Sequence, residues 1–75
     1  MIKKERFVIF DGPKVHDGPG THYIANDGTS TDLRSRAAKF FSHAEARIFA
    51  MEKGITLSPV LYIGIEDFTD FELHG

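Results

Sequence analysis

The sequence predicts an α+β fold: a three- to four-stranded, mostly antiparallel sheet with one principal helix packed on one face. Three observations predict it. Apolar runs of β-forming residues stand at 7–10 and 60–65, and an Asn-Asp-Gly tight-turn signal falls at 26–28. A helix with marked ends runs between Ser42 and Gly54. An antiparallel sheet with one face buried under the helix is the natural fold for the order strand, strand, helix, strand.

The strands of the first half are predicted to form a hairpin beside a central strand. A strand is predicted over 5–10, and its residues 7–10 are apolar on both faces, which is typical of a central strand. A second strand is predicted over 21–25, before the turn at 26–28, and a short third strand is predicted at 29–31. A brief helical turn capped by Asp32, or an irregular arm, follows.

The principal helix carries signals at both ends. Ser42 is a favoured N-cap, and Glu45 three residues later completes a capping box. Phe41 precedes the cap and is predicted to staple onto Ala46. Gly54 suits the left-handed residue that ends a helix. These signals predict a helix that begins just after Ser42 and ends just before Gly54.

This helix has two apolar stripes on nearly opposite faces. The first consists of Ala46, Phe49 and Ala50. The second consists of Ala44, Ile48 and Met51. The cap contacts join the first stripe, which is therefore predicted to face the core. Two alternatives stay open for the second stripe: the arm at 32–40 covers it, or it is a protein interface.

The end of the chain is predicted to be a second region of strand. Residues 60–65 alternate, with Leu61, Ile63 and Ile65 on one face, and alternation resumes over 68–73. The intervening Glu-Asp dipeptide at 66–67 lacks the residues that a two-residue hairpin turn prefers. A hairpin and a bulged continuation of one strand therefore both remain open.

Composition limits the classes of function. The 75 residues suffice for one small domain, predicted to span residues 1–75. The net charge of −2 disfavours a general nucleic-acid binder, and the absence of cysteine excludes disulfides and thiolate metal sites. No signal peptide or membrane-spanning run is present in the sequence, which predicts a soluble, cytoplasmic protein without a membrane partner.

Candidate catalytic and metal-binding residues do not form a recognisable motif. His16, Asp17 and His22 could converge with Asp11 on a metal, but no zinc or calcium spacing accompanies them. The glycine-rich loop at 11–20 lacks the pattern of a phosphate-binding loop. We therefore expect no enzyme activity, no metal and no cofactor.

Two charged sets are candidate contact surfaces. An acidic set near the end of the chain could meet a basic partner. It consists of Glu66, Asp67, Asp70 and Glu72. A basic set beside Phe40 and Phe41 is suited to phosphate contact and base stacking. It consists of Arg34, Arg36, Lys39 and Arg47.

The layout of the chain is similar to that of many small phage and prophage accessory proteins, among which anti-CRISPR proteins and other host-takeover inhibitors are found. The residues that carry the resemblance are Phe7-Val8-Ile9-Phe10, Asn26-Asp27-Gly28, Ala38, Phe41, Ser42, Glu45, Ala46, Phe49, Ala50 and Gly54. The resemblance covers most of the chain and assigns no functional residue. It implies a compact protein that blocks a larger host complex by occupying a surface.

The sequence and this resemblance together predict a small, phage-encoded, non-catalytic inhibitor or adaptor that acts on a host protein or protein complex in the host cytoplasm. Its predicted protein-binding residues are Ala44, Ile48, Met51, Glu66, Asp67, Asp70 and Glu72. One alternative is a small nucleic-acid-binding module that uses Arg34, Arg36, Lys39 and Arg47. Another is a structural protein that forms a homodimer through the helix.

Overall fold

A computed structural model describes residues 3–12 and 20–74. The described residues form four strands, two α-helices and one short 3₁₀ helix. In chain order these are β1 (Lys4–Asp11), β2 (Tyr23–Ile24), β3 (Ser30–Thr31), the 3₁₀ helix (Arg34–Arg36), α1 (His43–Glu52), β4 (Leu61–Phe68) and α2 (Asp70–His74). None of the helices in this part of the chain is long and apolar enough to cross a membrane.

The four strands form one antiparallel sheet in the order β3-β2-β1-β4. β1 lies at the centre and pairs with β4 over the whole length of both strands, from Lys4 opposite Phe68 to Asp11 opposite Leu61. Its other edge meets β2, with Phe10 opposite Tyr23. This arrangement confirms the predicted α+β fold and the central position of the first strand.

One face of the sheet packs against α1. Ile9 of β1 and Ile24 of β2 are buried there against Ala46 and Ala50 of the helix. The two alanines let the helix backbone approach the sheet closely, and partly buried Phe49 fills the space beside them. The predicted core stripe of the helix is therefore confirmed.

The opposite face of the sheet is covered as well, by the 3₁₀ helix and α2. Its buried side chains are Val8, Phe10, Tyr23, Ala37 and Phe68, with Tyr62 and Leu73 packed against them. Because both faces of β1 are covered, Val8 and Ile9 are fully buried on opposite sides of the same strand. The sequence predicted the layer formed by α1 but not this second layer.

The predicted N-cap and C-terminal glycine of α1 are confirmed, but among the described residues the Glu45 side chain does not bond the Ser42 N–H to complete the capping box. The Ser42 Oγ accepts a hydrogen bond from the Glu45 N–H at 3.2 Å. Gly54 has a φ of +70°, and the Ile55 N–H donates to the Ala50 carbonyl at 2.8 Å. Phe41 differs from the prediction: its side chain is 77% exposed and lies against the Arg6 guanidinium, 4.5 Å from the ring centroid.

The end of the chain differs from the predicted strand over 68–73. β4 runs without a turn or bulge through residues 66–67, because β1 supplies pairing partners as far as Lys4. The chain then turns into α2 through a reciprocal capping box: the Thr69 N–H donates to Glu72 Oε1 at 2.9 Å, and the Glu72 N–H donates to Thr69 Oγ1 at 3.3 Å. Periodicity of two alone suggested a strand where this local capping produces a helix.

The segment between β3 and α1 contains the predicted helical turn, but Asp32 does not cap it. The 3₁₀ helix spans Arg34–Arg36, and Leu33 stands at its N-cap without a side-chain hydrogen bond. The Leu33 N–H instead donates to Thr31 Oγ1 at 3.1 Å. The predicted loop at 11–20 lies for the most part outside the described residues.

Candidate protein-binding surface

The second apolar stripe of α1 faces solvent. Ile48 is 56% exposed and Met51 is 76% exposed, and Ala44 on the same stripe is exposed as well. Arg47 lies at the margin of this stripe, next to Met51 around the helix, and is also exposed. The stripe thus presents two large apolar side chains with charged neighbours, which is the composition of a small interface with a polar rim.

The segment at 32–40 does not cover this stripe because its backbone is bonded to the sheet. The Ala38 N–H donates to the Ile24 carbonyl at 2.9 Å. Phe40 exchanges two backbone hydrogen bonds with Phe7, at 2.8 and 2.9 Å. Of the two alternatives left open by the sequence, covering of the stripe by this segment is therefore excluded.

The predicted acidic set is largely occupied by contacts within the chain. Glu66 and Glu72 both contact Arg34, through Nη1 at 3.2 Å and Nε at 2.7 Å respectively. Asp70 pairs with Lys4 at 3.2 Å on the surface. The Asp67 side chain is exposed, while its carbonyl accepts a hydrogen bond from Arg34 Nη2. The four carboxylates therefore do not form one open acidic surface.

Arg34 connects three elements on the face of the sheet opposite α1. Its guanidinium lies 4.8 Å from the centroid of the buried Phe68 ring, and its Nη1 donates to the Tyr23 hydroxyl at 3.2 Å. The hydrogen bond from Arg34 lowers the pKa of the Glu72 carboxyl below its usual value. Burial, together with the neighbouring charge of Glu66, raises the pKa of Tyr23.

The predicted basic set is divided between the two faces of the sheet. Lys39 lies with Arg34 over the Phe68 ring and donates to the Ser35 and Ala37 carbonyls at 3.2 and 2.9 Å. Burial, reinforced by the positive charge of Arg34, lowers the pKa of Lys39. Arg47 is carried by α1, on the other side of the sheet.

The aromatic residues of the basic-aromatic prediction are divided as well. Phe40 packs into the core under α1, with its ring centroid 5.1 Å from that of Phe49. Phe41 lies on the surface with Arg6. Arg36 is exposed and lines a shallow, mainly polar depression of about 440 Å³ between the β2–β3 turn and the 3₁₀ helix. The structure therefore does not bring the basic set and the two phenylalanines together.

The described residues offer no metal site. Across 3–12 and 20–74, no three histidine, aspartate or glutamate side chains lie close enough to share an ion. His22 is exposed, and its Nδ1 lies 2.9 Å from the Gly20 carbonyl. His16 and Asp17, considered above as ligands, lie outside the described residues.

Several exposed apolar side chains were not identified from the sequence as surface residues. Ile65 is 51% exposed although it shares the inward face of β4, because β4 lies at the edge of the described sheet. The others are Leu33, Leu57, Val60 and Phe71. Position in the sheet, rather than periodicity, decides the exposure of Ile65, and sequence alone did not supply that position.

No protein family, curated protein sequence or solved structure matches this chain.

Proposed function

We propose that this protein is a small non-catalytic inhibitor or adaptor that binds another protein through the outer stripe of α1, consisting of Ala44, Ile48 and Met51. The observation that carries the proposal is the exposure of Ile48 and Met51 on a helix whose opposite side is fixed in the core. The proposed partner is a host protein or protein complex. The chain would be phage-encoded and would block this partner in the manner of an anti-CRISPR protein.

The support of α1 makes this stripe suitable for binding. Ala46 and Ala50 are buried against the sheet, and hydrogen bonds cap the helix at Ser42 and after Gly54. A helix held in this way loses little conformational freedom when a partner binds, so less binding free energy is lost to ordering. Such a stripe fits an apolar groove in the partner, as amphipathic helices commonly do.

Apolar contact is expected to contribute more to this binding than charge. Burying the exposed parts of Ile48 and Met51 contributes about 1–2 kcal/mol each. Three of the four carboxylates in the acidic set already contact Arg34 or Lys4. We therefore propose that the outer stripe of α1 is the main contact surface, and not an acidic set that imitates nucleic-acid phosphates. The affinity for the partner protein should then change little with salt concentration.

A pull-down with matched variants tests the proposal. Ile48 and Val60 are both 56% exposed, but only Ile48 lies on the stripe. Tagged parent protein, Ile48→Glu and Val60→Glu would be incubated with bacterial lysate, with and without nuclease, at low and high salt. We expect one discrete protein to be retained by the parent and by Val60→Glu and to be lost with Ile48→Glu, after circular dichroism has established that all three are folded.

Two other outcomes would contradict the proposal. Equal retention of the same protein by all three variants would show that the partner binds elsewhere on the surface. Recovery of nucleic acid alone, removed by nuclease and weakened by high salt, would favour the nucleic-acid alternative and its residues Arg34, Arg36, Lys39 and Arg47.

A further inference from the structure

The backbone of β4 has an open side that faces away from β1. Phe7 uses both its N–H and its carbonyl to bond Phe40, so neither group points towards β4. In an antiparallel pair the bonding direction alternates, so Ile65, which stands opposite Phe7, also directs its N–H and carbonyl away from the shared ladder. The same argument applies to Asp11, whose N–H donates to the His22 carbonyl, and to its partner Leu61.

Alternation along β4 therefore places four residues with outward backbone groups: Leu61, Ile63, Ile65 and Asp67. At Leu61 these groups are bonded to Ser58, with distances of 3.1 and 2.8 Å. At Asp67 the carbonyl accepts from Arg34 and retains a second lone pair. Within the described part of the chain, the outward groups of Ile63 and Ile65 have no hydrogen-bond partner.

We propose that β4 pairs with β4 of a second copy of this chain, antiparallel and about a two-fold axis at Ile65. In this register Ile65 stands opposite Ile65 of the second copy, and Ile63 stands opposite Asp67. The open outward groups of Ile63 and Ile65 are then paired in both copies, and the Asp67 carbonyl uses its second lone pair. The two sheets join into one, and the interface is self-complementary, as a two-fold dimer requires.

Other registers fit less well. An axis at Glu66 or Asp67 places two carboxylates directly opposite each other, which is destabilising. An axis at Gly64 sets Asp67 against Leu61, whose outward groups are already bonded to Ser58. The axis at Ile65 instead places Glu66 opposite Gly64 and Asp67 opposite Ile63, so no like charges face each other.

The side chain of Ile65 gives this dimer an apolar contact. Ile65 is 51% exposed because no strand of the described sheet lies beyond β4. In the proposed register its side chain meets the equivalent side chain on the face that carries α1. Joining the sheets keeps both α1 helices on the same face, so a dimer would present two outer stripes to a partner, with a gain in avidity where the target has two sites.

A cross-linking experiment tests the register, because the chain has no cysteine and any single cysteine introduced is unique. Opposed residues in a hydrogen-bonded antiparallel pair have Cα atoms about 5.5 Å apart, within the range that a disulfide spans. We expect Ile65→Cys to form a disulfide dimer under mild oxidation. Ile48→Cys is the control, since Ile48 has a similar exposure of 56% but lies on α1.

A mixing experiment makes the cross-linking test specific to the register. Ile63→Cys mixed with Asp67→Cys should form a mixed disulfide faster than either variant alone forms a disulfide with itself. Equal rates for Ile65→Cys and Ile48→Cys, or no preference for the mixed disulfide, would overturn the proposed register.

Sedimentation equilibrium over a concentration series tests association without a cross-link. We expect the parent protein to dimerise, and Ile65→Lys to weaken the dimer at least tenfold, because an edge lysine blocks strand pairing and two lysines would face each other. Ile48→Lys should leave dimerisation unchanged. A parent protein that stays monomeric throughout would overturn the proposal and leave the edge open to a strand of another protein. Because the two surfaces differ, failure here is distinguishable from failure of the partner-binding proposal, which rests on Ile48.

Discussion

The ring of Phe10 lies over Gly64 so closely that a Cβ added to Gly64 would stand 2.5 Å from Phe10 Cε2. Phe10 is held in this position by two further rings, with centroids 5.5 Å away at Tyr23 and 5.3 Å away at Tyr62. The glycine therefore makes room for an aromatic cluster that crosses three strands, β2, β1 and β4. This close approach explains why a residue with no side chain stands in the middle of a strand.

We expect Gly64→Ala to lower the free energy of unfolding by about 1–3 kcal/mol, because the new methyl group must displace the Phe10 ring. Urea unfolding would measure the change. The double variant Gly64→Ala, Phe10→Leu should lose less stability than the sum of the two single variants, since leucine leaves space for the methyl group. Simple additivity of the two changes would contradict this explanation.

Arg34 and Arg36 provide a matched test of the contacts on the face opposite α1. Arg34 bonds Glu66, Glu72 and the Asp67 carbonyl, whereas Arg36 is exposed. We expect Arg34→Ala to cost about 2 kcal/mol of stability, because hydrogen bonds between charged groups are lost. Arg36→Ala should change stability by no more than about 0.5 kcal/mol. Similar values for both variants would show that the Arg34 contacts do not stabilise the fold.

Conservative replacement of Arg34 should not restore this stability in full. Lysine has one compact charged group, whereas the guanidinium reaches Glu66 and Glu72 with different nitrogens and lies 4.8 Å from the Phe68 ring centroid. We therefore expect Arg34→Lys to fall between the parent protein and Arg34→Ala in thermal unfolding. Full recovery with lysine would indicate that only the positive charge matters.

Features with complete local signals could be predicted from the sequence. The ends of α1 are an example, since Ser42 and Gly54 each act on backbone groups within a few residues. The first strand was likewise predicted as central because residues 7–10 are apolar on both faces. The sequence allows two alternatives for the outer stripe of α1, and the bonding of Phe40 to Phe7 excludes its coverage by the segment at 32–40.

Features that depend on distant residues could not be predicted in the same way. Arg34 belongs to the predicted basic set, but its partners Glu66 and Glu72 lie far along the chain.

The helix α2 is a local feature that the sequence pattern predicts as a strand. Alternation over 68–73 matches a strand, although Thr69 and Glu72 have capping-box spacing. The capping-box spacing of Thr69 and Glu72 therefore outweighs the periodicity, and Glu72 caps α2 instead of joining an open acidic surface.

The end signals of α1 predict the effect of two further substitutions. We expect Ser42→Ala to cost about 1 kcal/mol, because the Glu45 N–H loses its acceptor, and Ser42→Asp to cost less. Gly54→Ala should cost about 1 kcal/mol, because the positive φ of +70° disfavours a side chain. Thermal unfolding monitored by circular dichroism would measure both changes. Equal stability of Ser42→Ala and the parent would show that the cap contributes nothing to the fold.

The contact between Arg34 and Glu72 predicts a pH dependence of stability. The hydrogen bond from Arg34 lowers the pKa of folded Glu72 below its ordinary value of 4.5. A carboxyl whose pKa is lower in the folded state stabilises the protein above the unfolded pKa, and this contribution is lost as pH falls through the folded pKa. We therefore expect Glu72→Gln to be less stable than the parent near pH 7, with the difference shrinking as pH falls well below 4.5. Urea unfolding at several pH values would measure this difference. Asp67→Gln is the control, since the Asp67 side chain is exposed and Arg34 contacts only the backbone carbonyl of this residue. A difference in stability between Glu72→Gln and the parent that stays constant with pH would contradict the argument.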